Sequence, residues 1–267
     1  MVSATADATL RHLRNSLATI EKSTGFPDDA GVLAIGLRPL DAALGGGLAR
    51  AALHELAPAA PAQIGAASGF ALALAALATA GGRTALFVQT DFSAMEAGAL
   101  YGPGLDCLGL PMKRLIVLRV PRPVDVLWAC EEALKSRGVA AVVAELPQTG
   151  AAADLTATRR LTLAARTGGN LGLLLRQHPS PVATAASTRW EISASPSVPD
   201  RYGGLGRTTF DLSLNRNRRG RCGRFIVCWD HHARVFLPAA LSLGMAAASC
   251  NGSADPQLLA RAVTGWR

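Results

Sequence analysis

The chain has 267 residues, 49% of them hydrophobic and 17% charged, which excludes a disordered polar tail and fits one α/β domain with small additions at its ends. Its net charge of +8 rests almost wholly on arginine, because Lys22, Lys113 and Lys135 are the only lysines. Residues 201–267 hold ten Arg against three Asp, so the basic excess lies in the last quarter and reads either as an arginine-rich background or as a surface for nucleic acid or an acidic protein.

Leu10, Leu13, Leu17 and Ile20 recur at helical spacing and predict an amphipathic helix, followed by a turn-rich linker at residues 24–31. Such a helix packs on its own core or docks on a neighbouring chain. Residues 36–56 read as turn, helix and turn leading into a strand. Strands are then expected at 51–55, 84–89, 115–119, 140–145 and 171–175, alternating with helices at 66–79, 93–100, 124–136 and 155–167. Near-continuous apolar strands such as VAAVVAEL suit a parallel sheet covered on both faces, so the alternation predicts a doubly wound α/β core. After Pro181 the pattern turns antiparallel, with strands at 189–194, 208–214 and 225–229 and a basic hairpin tip, NRNRRGRCG, expected in solvent. Trp128, Trp190 and Trp229 fall on element faces and are expected in the core. In the tail, Leu258, Leu259, Val263 and Trp266 lie at helical spacing and read as a docking peptide. Three segments result: residues 1–30, a core at 31–237, and a tail at 238–267.

A phosphate-binding loop between strand and helix needs Gly-x-x-x-x-Gly-Lys-Ser/Thr, whose amides wrap phosphates, whose Lys neutralises them and whose hydroxyl holds Mg²⁺. Here no lysine stands between Lys22 and Lys113, and set against that motif the segment reads Gly69-Phe70-Ala71. Cation and hydroxyl are both absent. Gly65 and Gly69 still suit a tight turn, and a helix N-terminus attracts anions, so a weak anion site stays open. The strand at 140–145 ends in Glu145, where a metal-binding strand would carry Asp; it reads as a structural carboxylate or a displaced metal ligand. Five cysteines form no Cys-x-x-Cys pair, which predicts free thiols and no metal site. The chain opens without a basic-then-apolar leader, and the charge-free residues 64–82 are broken by Gly and Ser, so a cytoplasmic protein without membrane contact is expected.

GLRPLDAALGGGLARAALHEL, at residues 36–56, resembles the lead-in to the phosphate-binding strand of the RecA family. More narrowly, Leu40-Asp41 through Glu55, Asp125-Val126-Leu127-Trp128-Ala129 with Glu131-Glu132, and Ala141 through Leu146 resemble the ImuA family. So do Leu155-Thr156 with Thr158-Arg159-Arg160-Leu161, and Ala185-Ala186 with Thr188-Arg189-Trp190. The resemblance spans roughly residues 30–237 and implies a RecA-like core, mostly parallel and flanked by helices, with an antiparallel C-terminal extension. It implies a non-catalytic accessory protein of the DNA-damage (SOS) response. Such a protein supports error-prone translesion synthesis beside an ImuB-like Y-family polymerase homologue, a second replicative-type polymerase and RecA. It also implies roles for single residues. Asp91 falls near the place of the RecA catalytic Glu, and Gln177 where RecA senses nucleotide and moves the loop that follows, here residues 178–187. Arg216-Asn217-Arg218 resembles the basic segment that touches a neighbouring subunit's nucleotide. Arg216, Arg218, Arg219, Arg221 and Arg224, with Leu10, Leu13, Leu17 and Trp266, are the expected contacts to partner, second copy or DNA. A DNA-stimulated ATPase and a single-stranded-DNA-binding RecA paralogue are the alternatives.

Overall fold

The computed structural model describes residues 31–147, 153–199, 202, 204 and 206–239. The segment expected to form an N-terminal helix and the tail, with Leu10, Leu13, Leu17 and Trp266, lie outside the described residues.

A short antiparallel pair, β1 (Val32–Leu33) and β2 (Leu48–Ala49), brackets helix α1 (Arg38–Ala43). Asp41 fixes this lead-in by accepting from Ile35 N at 2.9 Å and Gly36 N at 3.0 Å. Then come β3 (Ala52–Pro58), α2 (Ile64–Ala78), β4 (Thr84–Thr90), α3 (Asp91–Ala97), α4 (Gly102–Leu108), β5 (Leu115–Val120), α5 (Pro123–Lys135), β6 (Val139–Leu146), α6 (Leu155–Gly168) and β7 (Leu171–Arg176). Strands β8 (Thr188–Ala194), β9 (Thr209–Asn217), β10 (Gly223–Asp230) and β11 (Val235–Pro238) complete a nine-stranded sheet, ordered β11-β10-β9-β8-β3-β7-β6-β4-β5. The parallel α/β core and the antiparallel extension both stand as expected. One strand differs: β8 runs parallel to β3 and antiparallel to β9, so the change of direction falls between β8 and β9.

Two apolar layers enclose the sheet. On one face α2 packs with Leu56, Leu173, Trp190, Phe210 and Trp229; on the other, α5 and α6 pack with Leu53, Val88, Val142 and Leu174. Residues Pro61–Gly81 are long and apolar enough to cross a membrane by composition. They instead form the central helix of the first layer, where Ala67, Phe70, Ala71, Leu74 and Ala75 are buried. A helix apolar all round requires cover all round, which the sheet and the α1 and α4 segments supply.

His54 and Glu55 put polar groups into the buried middle of β3, and each needs partners. His54 Nε2 lies 2.8 Å from Ala49 O and Nδ1 lies 2.7 Å from Thr188 Oγ1. The Trp190 indole N–H donates to the same hydroxyl at 2.6 Å. One tautomer satisfies all three: indole to hydroxyl, hydroxyl to Nδ1, and Nε2–H to the carbonyl. Burial pushes the His54 pKa down from 6.5 to about 4, with the Arg219 charge adding to the shift and the Ala49 bond opposing it. The unfolded chain therefore takes up a proton that the fold refuses. Stability from this site is complete above about pH 6.5, falls on the order of 3 kcal/mol as pH drops towards 4, and changes no further below. Urea melts across that range should show the loss, and His54→Gln, which keeps a donor and an acceptor, should flatten it.

Candidate functional site

The turn from β3 to α2 is where a strand-to-helix phosphate site would form. It reads Pro58-Ala59-Ala60-Pro61-Ala62-Gln63-Ile64. Pro58 and Pro61 have no N–H to offer. Ala59 N donates to Ile192 O at 2.9 Å, Gln63 N to Ala60 O at 2.8 Å, and Ile64 N to Pro61 O. The Gln63 side chain accepts from Ala194 N at 2.8 Å and ties the turn to the end of β8. No residue between Ala51 and Gly82 has a positive φ, so the alternating backbone that aims successive amides at one anion is missing here.

This geometry corrects the sequence alignment. Gly65, Gly69, Phe70 and Ala71 do not form the turn; all four lie within α2. Phe70 is fully buried, its ring centroid 6.0 Å from Trp190, 5.8 Å from Phe210 and 5.5 Å from Phe236. Its ring serves the core and faces no ligand. Gly69 packs beside Phe210, where a Cβ would make an ordinary contact at 3.6 Å from the ring.

Glu145 ends β6 among buried surroundings, and Gln177 hydrogen-bonds its carboxylate from beyond β7. Its Oε1, like Gln89 Nε2 at the end of neighbouring β4, has no partner among the described residues. Desolvation raises the Glu145 pKa, and the negative charge of Glu96 raises it further. Asp91 is exposed in the first turn of α3, whose N-cap is Thr90 accepting from Ser93 N at 3.0 Å. The structure thus joins Glu145 to Gln177 and leaves Asp91 on the surface.

The strongest electrostatic feature is Glu55, 1% exposed in mid-β3. Arg176 of β7 pairs with its Oε1; Oε2 takes Arg189 Nε at 3.2 Å and the Thr184 hydroxyl at 2.8 Å. Arg189 also donates to Ser180 O at 3.0 Å and Val182 O at 2.6 Å. Residues 178–187, expected as a mobile loop after Gln177, are in fact clamped by these bonds. The signal was present in the sequence: a Glu inside an apolar strand demands a buried cation, and Arg176 and Arg189 lie at ends of the two strands flanking it.

The arginine hairpin also differs from expectation. Its backbone is anchored: Asn217 Nδ2 and Arg221 N donate to Ala43 O at 2.8 and 3.2 Å, and a Cβ on Gly220 would lie 2.1 Å from that oxygen. Arg224 pairs bidentately with Asp211, through Nε at 2.8 Å and Nη2, and leaves the patch. Arg216 and Arg218 both donate to Thr184 O, at 3.0 and 3.2 Å, whereas Arg219 and Arg221 are exposed.

A surface the sequence reading missed runs along β5, one edge of the sheet. Ile116, Val117 and Leu118 are exposed on it, with Phe92 and Met95 on α3 nearby. Trp128, expected in the core, is 65% exposed one turn after exposed Val124 on α5.

No family model matches the chain. ImuA proteins of two Caulobacter vibrioides strains, NA1000 / CB15N and ATCC 19089 / CIP 103742 / CB 15, are 39% identical to it over 139 residues, 48% of this chain and 55% of theirs. The chain spans about half the length of the curated relatives it matches. Among solved structures, the RadB recombinase aligns with a TM-score of 0.54 at 18% identity, covering 77% of this chain and 98% of that one. The resemblance to ImuA and the RecA-like fold are both borne out.

Removing the Glu55 carboxylate takes the ion-pair partner from two part-buried guanidinium groups. Glu55→Ala should cost about 3–5 kcal/mol of folding free energy in denaturant melts, with Glu55→Gln between it and wild type. A loss under about 1 kcal/mol would show that solvent already screens the cluster.

Proposed function

We propose that this ImuA-like chain is a non-catalytic RecA-fold adaptor in DNA-damage-induced error-prone synthesis, acting through contacts with an ImuB-like Y-family polymerase homologue rather than through nucleotide hydrolysis. One observation carries the reading. Between β3 and α2, where phosphate oxygens would need free amides, a cation and a metal-binding hydroxyl, the chain offers two prolines, amides of Ala59, Gln63 and Ile64 that are already engaged, and neither a cationic nor a hydroxyl side chain. Each missing element removes charge stabilisation that phosphoryl transfer depends on.

The β5 edge supplies what an adaptor requires. An open edge strand presents unpaired backbone groups, and proteins ordinarily protect such edges with charge, proline or a covering element. Here Leu115–Val120 is apolar except for Arg119, and Val124 and Trp128 extend the apolar surface onto α5. An extended partner segment adding to this edge would gain main-chain hydrogen bonds and cover those side chains. The unpartnered Oε1 of Glu145 favours a second reading, a residual cation or nucleotide contact at the strand ends.

The edge is testable without disturbing the core, because Ile116 and Trp128 both face solvent. Full-length Ile116→Glu/Trp128→Glu, co-expressed with the ImuB-like homologue of its own cassette, should fail to co-purify with it while melting within about 1 kcal/mol of wild type. Undiminished co-purification would remove the edge from the account.

A further inference from the structure

We infer that Arg159 and Arg166 of α6, with Arg216 and Arg218 of β9 and the turn after it, form a docking site for an acidic peptide segment of a partner protein. The elements meet at Thr184-Ala185. Ala185 N donates to Thr158 Oγ1 at 3.0 Å, which sets this dipeptide against α6 beside Arg159, while the Thr184 carbonyl takes both Arg216 and Arg218. Arg159 and Arg166 lie seven residues apart on α6, two turns along one face. Arg159, Arg166 and Arg218 are exposed. Arg159, Arg216 and Arg218 form no ion pair with a carboxylate among the described residues, in contrast to Arg122, Arg160, Arg176, Arg189, Arg207 and Arg224. Partial burial and the charges of Arg216, Arg166 and Arg159 lower the Arg218 pKa, as a cluster of guanidinium groups would.

The surroundings select a peptide over a nucleic-acid strand. Beside Arg216 lies a cavity of about 410 Å³, lined by Ser180, Arg189, Glu191, Asn215 and Arg216 among others, in which Arg189 is already committed to Glu55. A phosphate backbone running on from the arginines would meet the Glu191 carboxylate there. A peptide can place acidic side chains on the guanidinium forks and a neutral or donor group beside Glu191. Among the described residues, the exposed aromatic rings that would stack bases, Phe92, Tyr101, Trp128 and Tyr202, belong to other elements. This contact is distinct from the β5 edge and would give the adaptor a second point of attachment.

The test uses the full chain and three fluorescein-labelled probes read by anisotropy: a peptide alternating glutamate and serine, the same peptide with glutamine for glutamate, and single-stranded oligothymidine. Saturable binding of the acidic peptide, none of the glutamine peptide, and weaker binding of the oligonucleotide are expected. Arg216→Gln/Arg218→Gln and, separately, Arg159→Gln should each weaken the acidic peptide about tenfold or more. The Arg159 side chain is exposed, so its variant keeps the test valid if the double variant unfolds. Absence of peptide binding, unchanged affinity in Arg159→Gln, or tighter binding of the oligonucleotide through the same arginines would each overturn the proposal. None of these outcomes bears on co-purification through Ile116 and Trp128, so the two surfaces fail independently.

Discussion

The carboxylate of Glu55 holds the centre of this molecule together. It is buried in β3, paired with Arg176 of one adjacent strand and Arg189 of the other, and bonded by Thr184. A buried ion cluster of this kind contributes little net stability over an apolar one, but it forbids alternatives, because any rearrangement leaves a charge unpaired in low dielectric. Strand β8 is thereby locked parallel to β3, and the segment between β7 and β8 is drawn over the sheet end. The Thr184 carbonyl that receives Arg216 and Arg218 is a consequence of the same cluster.

The helix after β3 is built for packing. In a nucleotide-binding domain the start of that helix is polar and its first turn serves the ligand. In this chain the helix is apolar on every side, follows a 3-10 turn that opens at Pro61, and uses Phe70 to join Trp190, Phe210 and Phe236. Phe70 packs in its second turn, and Gln63 binds the turn before it to the end of β8. A rigid core with surfaces at its edges follows: an apolar one along β5 and a basic one where α6 meets the end of β9.

Much of this fold could be read in advance. Parallel strands buried on both faces must be apolar runs, so VAAVVAEL and LGLLL located β6 and β7 to within a residue or two. Strand β11 is only four residues long, and Gly102, Pro103 and Gly104 disguise helix α4. The site was less legible. Motif spacing placed the phosphate turn at Gly65–Ala71, although Pro61 already marked a helix start ahead of it. The partners of Glu55 lie 121 and 134 residues away, beyond any local pattern. The exposure of Trp128 depends on β5 being the last strand of the sheet, which only the assembled topology decides.

The central claim is that a turn so short of amides and of positive charge does not hold a triphosphate. Calorimetric titration of ATP into the full chain, with and without Mg²⁺, tests it directly. The account predicts a dissociation constant weaker than about 1 mM that is indifferent to the metal. Binding tighter than about 10 μM that requires Mg²⁺ and disappears in Glu145→Gln would contradict it.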